Sequence, residues 1–471
     1  MGNAILLRRV AKVATFDSAQ RELDNVDILI EGNRISAIGT DLEPPAGARI
    51  IDGAHKLCLP GMVNCHHHLY QTMTRAVPRV QNAELFEWLV NLYEIWRELT
   101  PEIVYISALT GLGELLLTGC TTTTDHLYLF PRSCDGKLID AEIQAARELG
   151  IRFHPTRGCM TRGRSHGGLP PDDVVQTEEE ILADCERLIA LYHDPAPDAM
   201  VKIALAPCSP FSVEESTMVK LAELARKHGL RLHTHLAETQ DEERYCAEVY
   251  GMRPVEWAEK IGWLGRDVWF AHMVHVNEAE IQRLAETGTG VSHCPASNMR
   301  LGSGIAPIPR MLEAGVPVGL GVDGSASNDA SDMLGEVRHA LLLHRVMNGA
   351  KAITAREVLA VATGGGARVL GYTDLGRIEE GALADLILID LDQLGLAGAL
   401  HDPVAAPVFA GDSHIVAYSI VNGELVVENG KLARISEEEI IKRANEAATE
   451  MVRSAQKKTG IAFLSFPEKK E

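Results

Sequence analysis

An α/β fold built on a (β/α)8 TIM-like barrel, joined to a small β-sandwich domain made from both chain ends, is what this 471-residue sequence predicts. Three observations carry that expectation. Eight short β-rich runs alternate with longer amphipathic stretches through the middle of the chain, the order a closed parallel barrel needs. Strand-turn-strand patterns flank this region on both sides. Histidines and carboxylates recur where the central runs end, which is where such barrels place their chemistry.

Residues 1–59 supply the first flank. Ala4-Ile5-Leu6-Leu7 leads to Asp27-Ile28-Leu29-Ile30, and a turn at Glu31-Gly32-Asn33 returns the chain through Arg34-Ile35-Ser36-Ala37-Ile38. Two apolar runs joined by a Gly-Asn turn form a hairpin. Residues 372–430 supply the second flank, with Ala384-Asp385-Leu386-Ile387-Leu388-Ile389-Asp390 and a hairpin about Asn422-Gly423. The barrel is expected over residues 60–371, inserted between two halves of one small domain.

The eight strand candidates are Val63-Asn64-Cys65, Cys120 to Thr124, Ile151-Arg152-Phe153, Val201 to Leu205, Leu230 to Thr234, Val268 to Ala271, Gly290-Val291-Ser292 and Val318 to Val322. Helical patterns such as Ser216 to His228 and Glu278 to Thr287 lie between them. Residues 431–471 form a helical tail. There Ser436 and Glu439 stand at capping-box spacing, and Ile440, Ala444, Ala447 and Met451 make an apolar stripe that docks on the body.

The segment Pro60-Gly61-Met62-Val63-Asn64-Cys65-His66-His67-His68 carries the first chemistry. If Val63 to His68 ends a strand, His66 and His68 share one face and His67 faces away as a hydrogen-bonded core residue. A His-x-His by itself is often structural, so its company decides. His235 and Glu238 follow the fifth run, His272 the sixth, His293 the seventh and Asp323 the eighth. A metal ion held by His66, His68, His235 and Asp323 leaves a position for water, as hydrolytic sites require. Nitrogen and carboxylate donors suit Zn2+ or Fe2+, and no thiolate cluster stands at ligand spacing.

Such a metal would bring the pKa of its water from about 15.7 toward 7. Asp323 can then accept the water's proton and His272 can hold the nucleophile. Glu238, three residues past His235, can reach a substrate atom and shuttle a proton to it. His233 shares a face with His235 but lies deeper, which suits packing within the barrel. His275 and His293 are placed to hydrogen-bond groups nearer the metal, and Asn298 to fix its loop.

The formal charge of −20 argues against nucleic acid as a partner, since phosphate affinity comes from basic groups, and favours a small neutral substrate. No apolar run approaches the roughly 20 residues of a membrane helix. Arg8, Arg9 and Lys12 interrupt the N-terminal stretch, and Leu6 stands where a myristoylation signal starting at Gly2 wants Ser or Thr. Nine scattered cysteines read as reduced thiols, so the expected location is cytoplasmic.

With those residues in view, the sequence resembles a family. PGMVNCHHH, HTHLAET, FAHMVH, SHCPASNMRLGSG and GVDGSASND match in order the signatures of the amidohydrolase superfamily, in its aminohydrolase branch, and GRIEEGALADLILID extends the likeness into the split β domain. The resemblance implies His66, His68, His235 and Asp323 as metal ligands, Glu238 as proton shuttle and His272 as the group orienting water. Members with two metals use a lysine on strand four, whereas Lys202 lies at that strand's start, so one metal is expected.

HHHLYQ, LFEWL and APCSPFS are most similar to members that deaminate 8-oxoguanine to urate and ammonia. Triazine or pterin hydrolysis on the same machinery is the alternative, and a non-catalytic barrel scaffold the remote one. The resemblance places Gln71 where it reads a purine edge, for which an amide offers both donor and acceptor. Trp88 either stacks on the substrate ring or packs in the core. Cys208 stands where nucleoside-type members have histidine, which favours a free base. The resemblance also implies a homo-oligomer.

Overall fold

The computed structural model describes residues 4–134, 136–410 and 415–467. Gly2 and the last four residues of the expected tail lie outside them. All eight expected runs close into one parallel barrel, with strands Met62–Asn64, Cys120–Leu127, Arg152–Cys159, Ala204–Pro207, Arg231–Leu236, Val268–His272, Gly290–His293 and Val318–Leu320 in sequential order. The strands are almost wholly buried and rich in Val, Thr, Leu and Phe, as expected for strands covered by helices outside and packed within. Gly61 makes one close approach possible: a Cβ there would lie 2.0 Å from Thr121 Oγ1, so only glycine lets the first strand start against the second.

The two chain ends meet in a single nine-stranded sheet. Its junction is the antiparallel pairing of Lys56–Pro60 with Leu386–Asp390, Leu59 opposite Ile387. The hairpin at Asn422-Gly423 forms with φ of 52° and 78°, the left-handed pair that a two-residue turn of matching twist demands. A buried bidentate pair ties this sheet to the barrel: Arg152, first residue of the third barrel strand, donates to Asp385 at 3.1 and 2.9 Å.

Helix boundaries follow local chemistry. Asn277 and Glu280 form a capping box at the start of Glu278–Thr287, and Gly288 ends it in the left-handed region. The helix expected from Ser216 runs Glu215–Lys227. The tail helix is Glu437–Thr459, burying Ile440, Ala444 and Met451 against Pro101–Leu117 and Leu85–Trp96, with Ala447 only partly buried. Its capping box is half formed. Ser436 Oγ accepts from Glu439 N–H at 3.4 Å without a return bond from Ser436 N–H to Glu439, while Glu437 accepts from Leu432 N–H at 3.0 Å.

Candidate active site

The first barrel strand ends at Asn64, earlier than a strand running to His68 would, yet the chain beyond it stays extended. Cys65 N–H donates to Leu320 O at 2.8 Å, Asp323 N–H to His66 O at 3.0 Å and His126 N–H to His67 O at 2.7 Å. Strands two and eight thus hold the triplet between them. His66 and His68 reach one point: Asp323 Oδ1 lies 3.3 Å from Nε2 of each. His67 turns away and pairs its Nε2 with Ser331 Oγ at 3.0 Å.

His235, near the end of the fifth strand, brings its Nε2 to 3.1 Å from His68 Nε2. Hydrogen-bond partners fix the tautomers. His68 Nδ1 donates to His126 O at 2.7 Å and His235 Nδ1 to Cys208 O at 2.6 Å. His233 donates its Nδ1 proton to Trp269 O at 2.9 Å, so its Nε2 is left to accept from His66 Nδ1 at 2.8 Å. Burial holds the pKa of His66 well below the usual value and that of His68 below it, and brings His235 to about 3. The rings are neutral, and their three Nε2 atoms present lone pairs to one small space.

Lone pairs gathered around a buried point repel unless a cation lies among them. Donors about 2.0–2.1 Å from a tetrahedral zinc ion stand roughly 3.3 Å apart. The separations of 3.1 and 3.3 Å fit that edge. The donor set therefore suits a divalent metal. His126, which sequence reasoning passed over, joins the group: its ligand atom lies within 4.8 Å of those of His66, His68 and His235. Its Nε2 donates to Ala206 O at 2.7 Å and its buried Nδ1 has no partner. The signal was present, since Thr124-Asp125-His126 continues the second run two residues past the expected end.

Two of these strand ends turn through unusual backbone. His272 has φ 74° and Asp323 φ 61°, and Ala237, just before Glu238, has φ 52°. Left-handed conformations at non-glycine residues cost about 1–3 kcal/mol each and persist only where surrounding bonds over-determine them. Here Asp323 is held through His66 O, and the 237–238 backbone donates to the buried Glu242 carboxylate at 2.8 and 3.1 Å.

His272 Nδ1 donates to Asn298 Oδ1 at 3.0 Å, while its Nε2 lies 3.6 Å from Glu238 Oε2 and 3.9 Å from Asp323 Oδ2. Asn298 thus holds the ring of His272 and does more than fix its own loop. Burial opposes charge on His272, but the Glu238 and Asp323 carboxylates and Asn298 outweigh it and raise its pKa. Burial raises the Glu238 carboxyl. Burial would also raise Asp323, yet His66, His272 and His68 hold it well below the usual carboxylate range.

Gln71, Trp88 and Cys208 line the same cavity as His68, His235, Glu238, His272 and Asp323. Gln71 is buried with its Oε1 unpaired, and Gly324 makes room for it, since a Cβ there would lie 1.9 Å from that oxygen. Trp88 is fixed by its Nε1 donating to Ala326 O at 3.1 Å and by an edge contact with Trp96. Cys208 uses its carbonyl to orient His235, and burial lifts its thiol to about 12. The cavity measures about 30 Å3, room for about one water, and Leu85, Leu89, Phe211 and Leu301 give it apolar walls. His275 and His293 stand apart: His275 Nε2 donates to Ser303 O at 2.9 Å, and His293 pairs with His344 at 3.0 Å.

A closed barrel whose strand ends carry a metal-binding group of histidines and an aspartate defines a metal-dependent hydrolase. The chain belongs to the Amidohydrolase family, whose family model matches residues 57–426. It is 50% identical over 381 residues to an 8-oxoguanine deaminase of Pseudomonas aeruginosa, covering 80% of this chain and 84% of that protein. It is 36% identical over 448 residues to a hydroxydechloroatrazine ethylaminohydrolase of Pseudomonas sp. strain ADP, covering 92% and 93%. The crystal structure of an atrazine chlorohydrolase from Arthrobacter aurescens TC1 complexed with zinc superposes with a TM-score of 0.90, at 38% identity, over 94% of this chain and 100% of that one.

Proposed function

We propose that this protein deaminates an oxidised purine base, converting 8-oxoguanine and water to urate and ammonia. The observation that carries the reading is the buried Gln71 amide, its Oε1 without a partner, lining the same cavity as Glu238 and His272. The 50% identical P. aeruginosa deaminase supports the substrate. His66, His68, His235 and Asp323 would hold one divalent ion, with zinc favoured by the nitrogen-rich donors and Fe2+ the alternative. When bound, that ion supplies Lewis acidity that brings ionisation of water close to neutral pH.

The chain's own groups then divide the proton work. Asp323 takes a proton from the attacking water, and His272 Nε2 directs the oxygen toward the ring carbon that bears the amine. Glu238, its carboxyl raised by burial, delivers a proton to the adjacent ring nitrogen. The C–N bond breaks as the Asp323 proton passes to the amine, which leaves as ammonia, and the added hydroxyl returns its proton to Glu238 as the ring carbonyl forms. Gln71 holds the purine edge, and Trp88 and Cys208 form the wall beside it. We further propose a cytoplasmic setting, supported by the burial of eight of the nine cysteines.

Purified protein tested against 8-oxoguanine, guanine, isoxanthopterin, hydroxyatrazine and atrazine, with ammonia and chloride followed separately, decides the reading. Fastest ammonia release from 8-oxoguanine is expected. Preference for a triazine or pterin would transfer the same machinery to that ring, and absence of both metal and turnover would leave a scaffold.

A further inference from the structure

The opposite end of the barrel holds a second cavity, of about 260 Å3, whose lining includes His154, His193, Lys202, His228 and Arg231. These residues come together because strands begin and the preceding helices end at this face of the barrel. His154 is near the start of the third strand, Lys202 just precedes the fourth and Arg231 opens the fifth, while His193 and His228 follow the helices Glu178–Tyr192 and Glu215–Lys227. In a chain of formal charge −20, the cavity gathers two cations, Lys202 and Arg231, among three imidazoles.

The charges are not paired within the fold. Neither Lys202 nor Arg231 has a carboxylate within ion-pair distance among the described residues; Asp194 and Asp198 act on Lys202, and Asp267 on Arg231, only from farther away. The Lys202 ammonium lies 4.5 Å from the centre of the Tyr372 ring. Arg231 donates one guanidinium nitrogen to Val369 O at 2.7 Å and keeps its Nε buried without a partner. His154 is 2% exposed and its Nδ1 also has no partner. His193 Nδ1 accepts from Ile203 N–H at 3.2 Å, so its other nitrogen carries a proton to give. His228 is engaged by Glu186 at 3.3 Å, and Arg152 nearby is spent on Asp385.

We propose that this cavity binds a phosphate-class oxyanion, held by Lys202, Arg231 and His193. Three donors, two from the connection between Tyr192 and Ala204 and one from the fifth strand, suit a tetrahedral anion, and among the described residues none has a carboxylate within ion-pair distance in a space that exceeds one phosphate, leaving room for an attached group. Burial presses the Lys202 and Arg231 pKa values down, Arg231 to about 10, and each cation adds to the burial that suppresses protonation of His154. An anion would relieve all three.

Calorimetric titration of the metal-loaded enzyme with inorganic phosphate, against chloride at matched ionic strength, tests the site. Binding is expected, and Lys202→Gln should weaken it about tenfold, as losing one charge-assisted contact does, while kcat and KM for deamination stay within about twofold of wild type. His193→Gln provides an independent second variant, expected to weaken binding in the same direction. A parallel titration with a nucleoside monophosphate separates the sources: tighter binding than phosphate identifies a phosphorylated metabolite, equal binding the free ion. No binding of either probe, or the same affinity in wild type and both variants, overturns the proposal.

Discussion

The Nε2 atoms of His68 and His235 stand 3.1 Å apart with no proton to share, because each ring has committed its Nδ1 proton to a carbonyl, that of His126 and that of Cys208. The fold therefore holds two lone pairs against each other, a contact that costs energy until a cation separates them. Chelation should lower the thermal unfolding midpoint together with activity, and restoring zinc or iron should recover both. An ion at a thousand times its Kd stabilises the folded state by about 4 kcal/mol. Differential scanning calorimetry of chelated and reloaded protein makes the comparison; an unchanged midpoint would count against the cage.

Glu238→Gln keeps the shape of the side chain and removes the proton it transfers. Turnover should fall by about 10²- to 10⁴-fold, with metal content equal to wild type by elemental analysis. Wild-type turnover in this variant would remove Glu238 from its role as shuttle.

Asn298 touches His272 and not the cavity floor, so its effect is on orientation and on the proton affinity of that ring. Asn298→Ala should lower kcat about tenfold or more with a smaller change in KM. Because the Asn298 bond contributes to raising the His272 pKa, the limb of the pH–rate profile that reports His272 should move to lower pH. A variant whose profile overlays wild type would leave Asn298 a loop-fixing residue.

Gly324 is where Gln71 fits. In Gly324→Ala the new methyl would meet Gln71 Oε1 at 1.9 Å, and the amide must leave its place. KM for the purine should rise about tenfold, the equivalent of one lost hydrogen bond, while bound metal is unchanged. Equal KM values would show that Gln71 does not read the substrate.

Behind the site, Asp125 accepts from Leu69 N–H at 2.6 Å, and Glu142 lies buried against it. Burial first, and the Asp125 charge second, raise the Glu142 carboxyl well above its usual value, so Glu142 keeps its proton in the fold. A raised folded pKa contributes stability below the unfolded value near 4.5 that is lost as pH rises through the folded value. Glu142→Gln donates permanently in place of that proton and removes the loss. Its stability relative to wild type should therefore grow between pH 5 and 8 by about 1.4 kcal/mol per pH unit while Glu142 stays protonated in the fold. Urea denaturation at several pH values measures it, and a pH-independent difference would contradict a protonated Glu142.

Much of the site was legible because barrel chemistry is written at strand ends. His66, His68, His235, Glu238, His272 and Asp323 each follow or close a short β-rich run, and a two-residue period was enough to separate His66 and His68 from His67. His126 was missed because the second run was expected to end at Thr124, whereas the parallel ladder continues to Leu127. Asn298 was read as a turn residue because its partner, His272, is 26 positions away. The unpaired cations Lys202 and Arg231 could not be paired or left unpaired by spacing, since each one's neighbours come from other strands and helices.

By itself, then, the sequence determined the order of strands and helices, four candidate metal ligands and the family to which the chain belongs. These depend on local periodicity and on residue type, which a linear string carries in full. The tertiary structure alone decided which nitrogen of each ring is bare, which carboxyl keeps its proton and which cations lack partners. Those properties depend on the carbonyls, charges and burial that distant segments impose, as the Cys208 carbonyl does on His235 and the His126 carbonyl on His68.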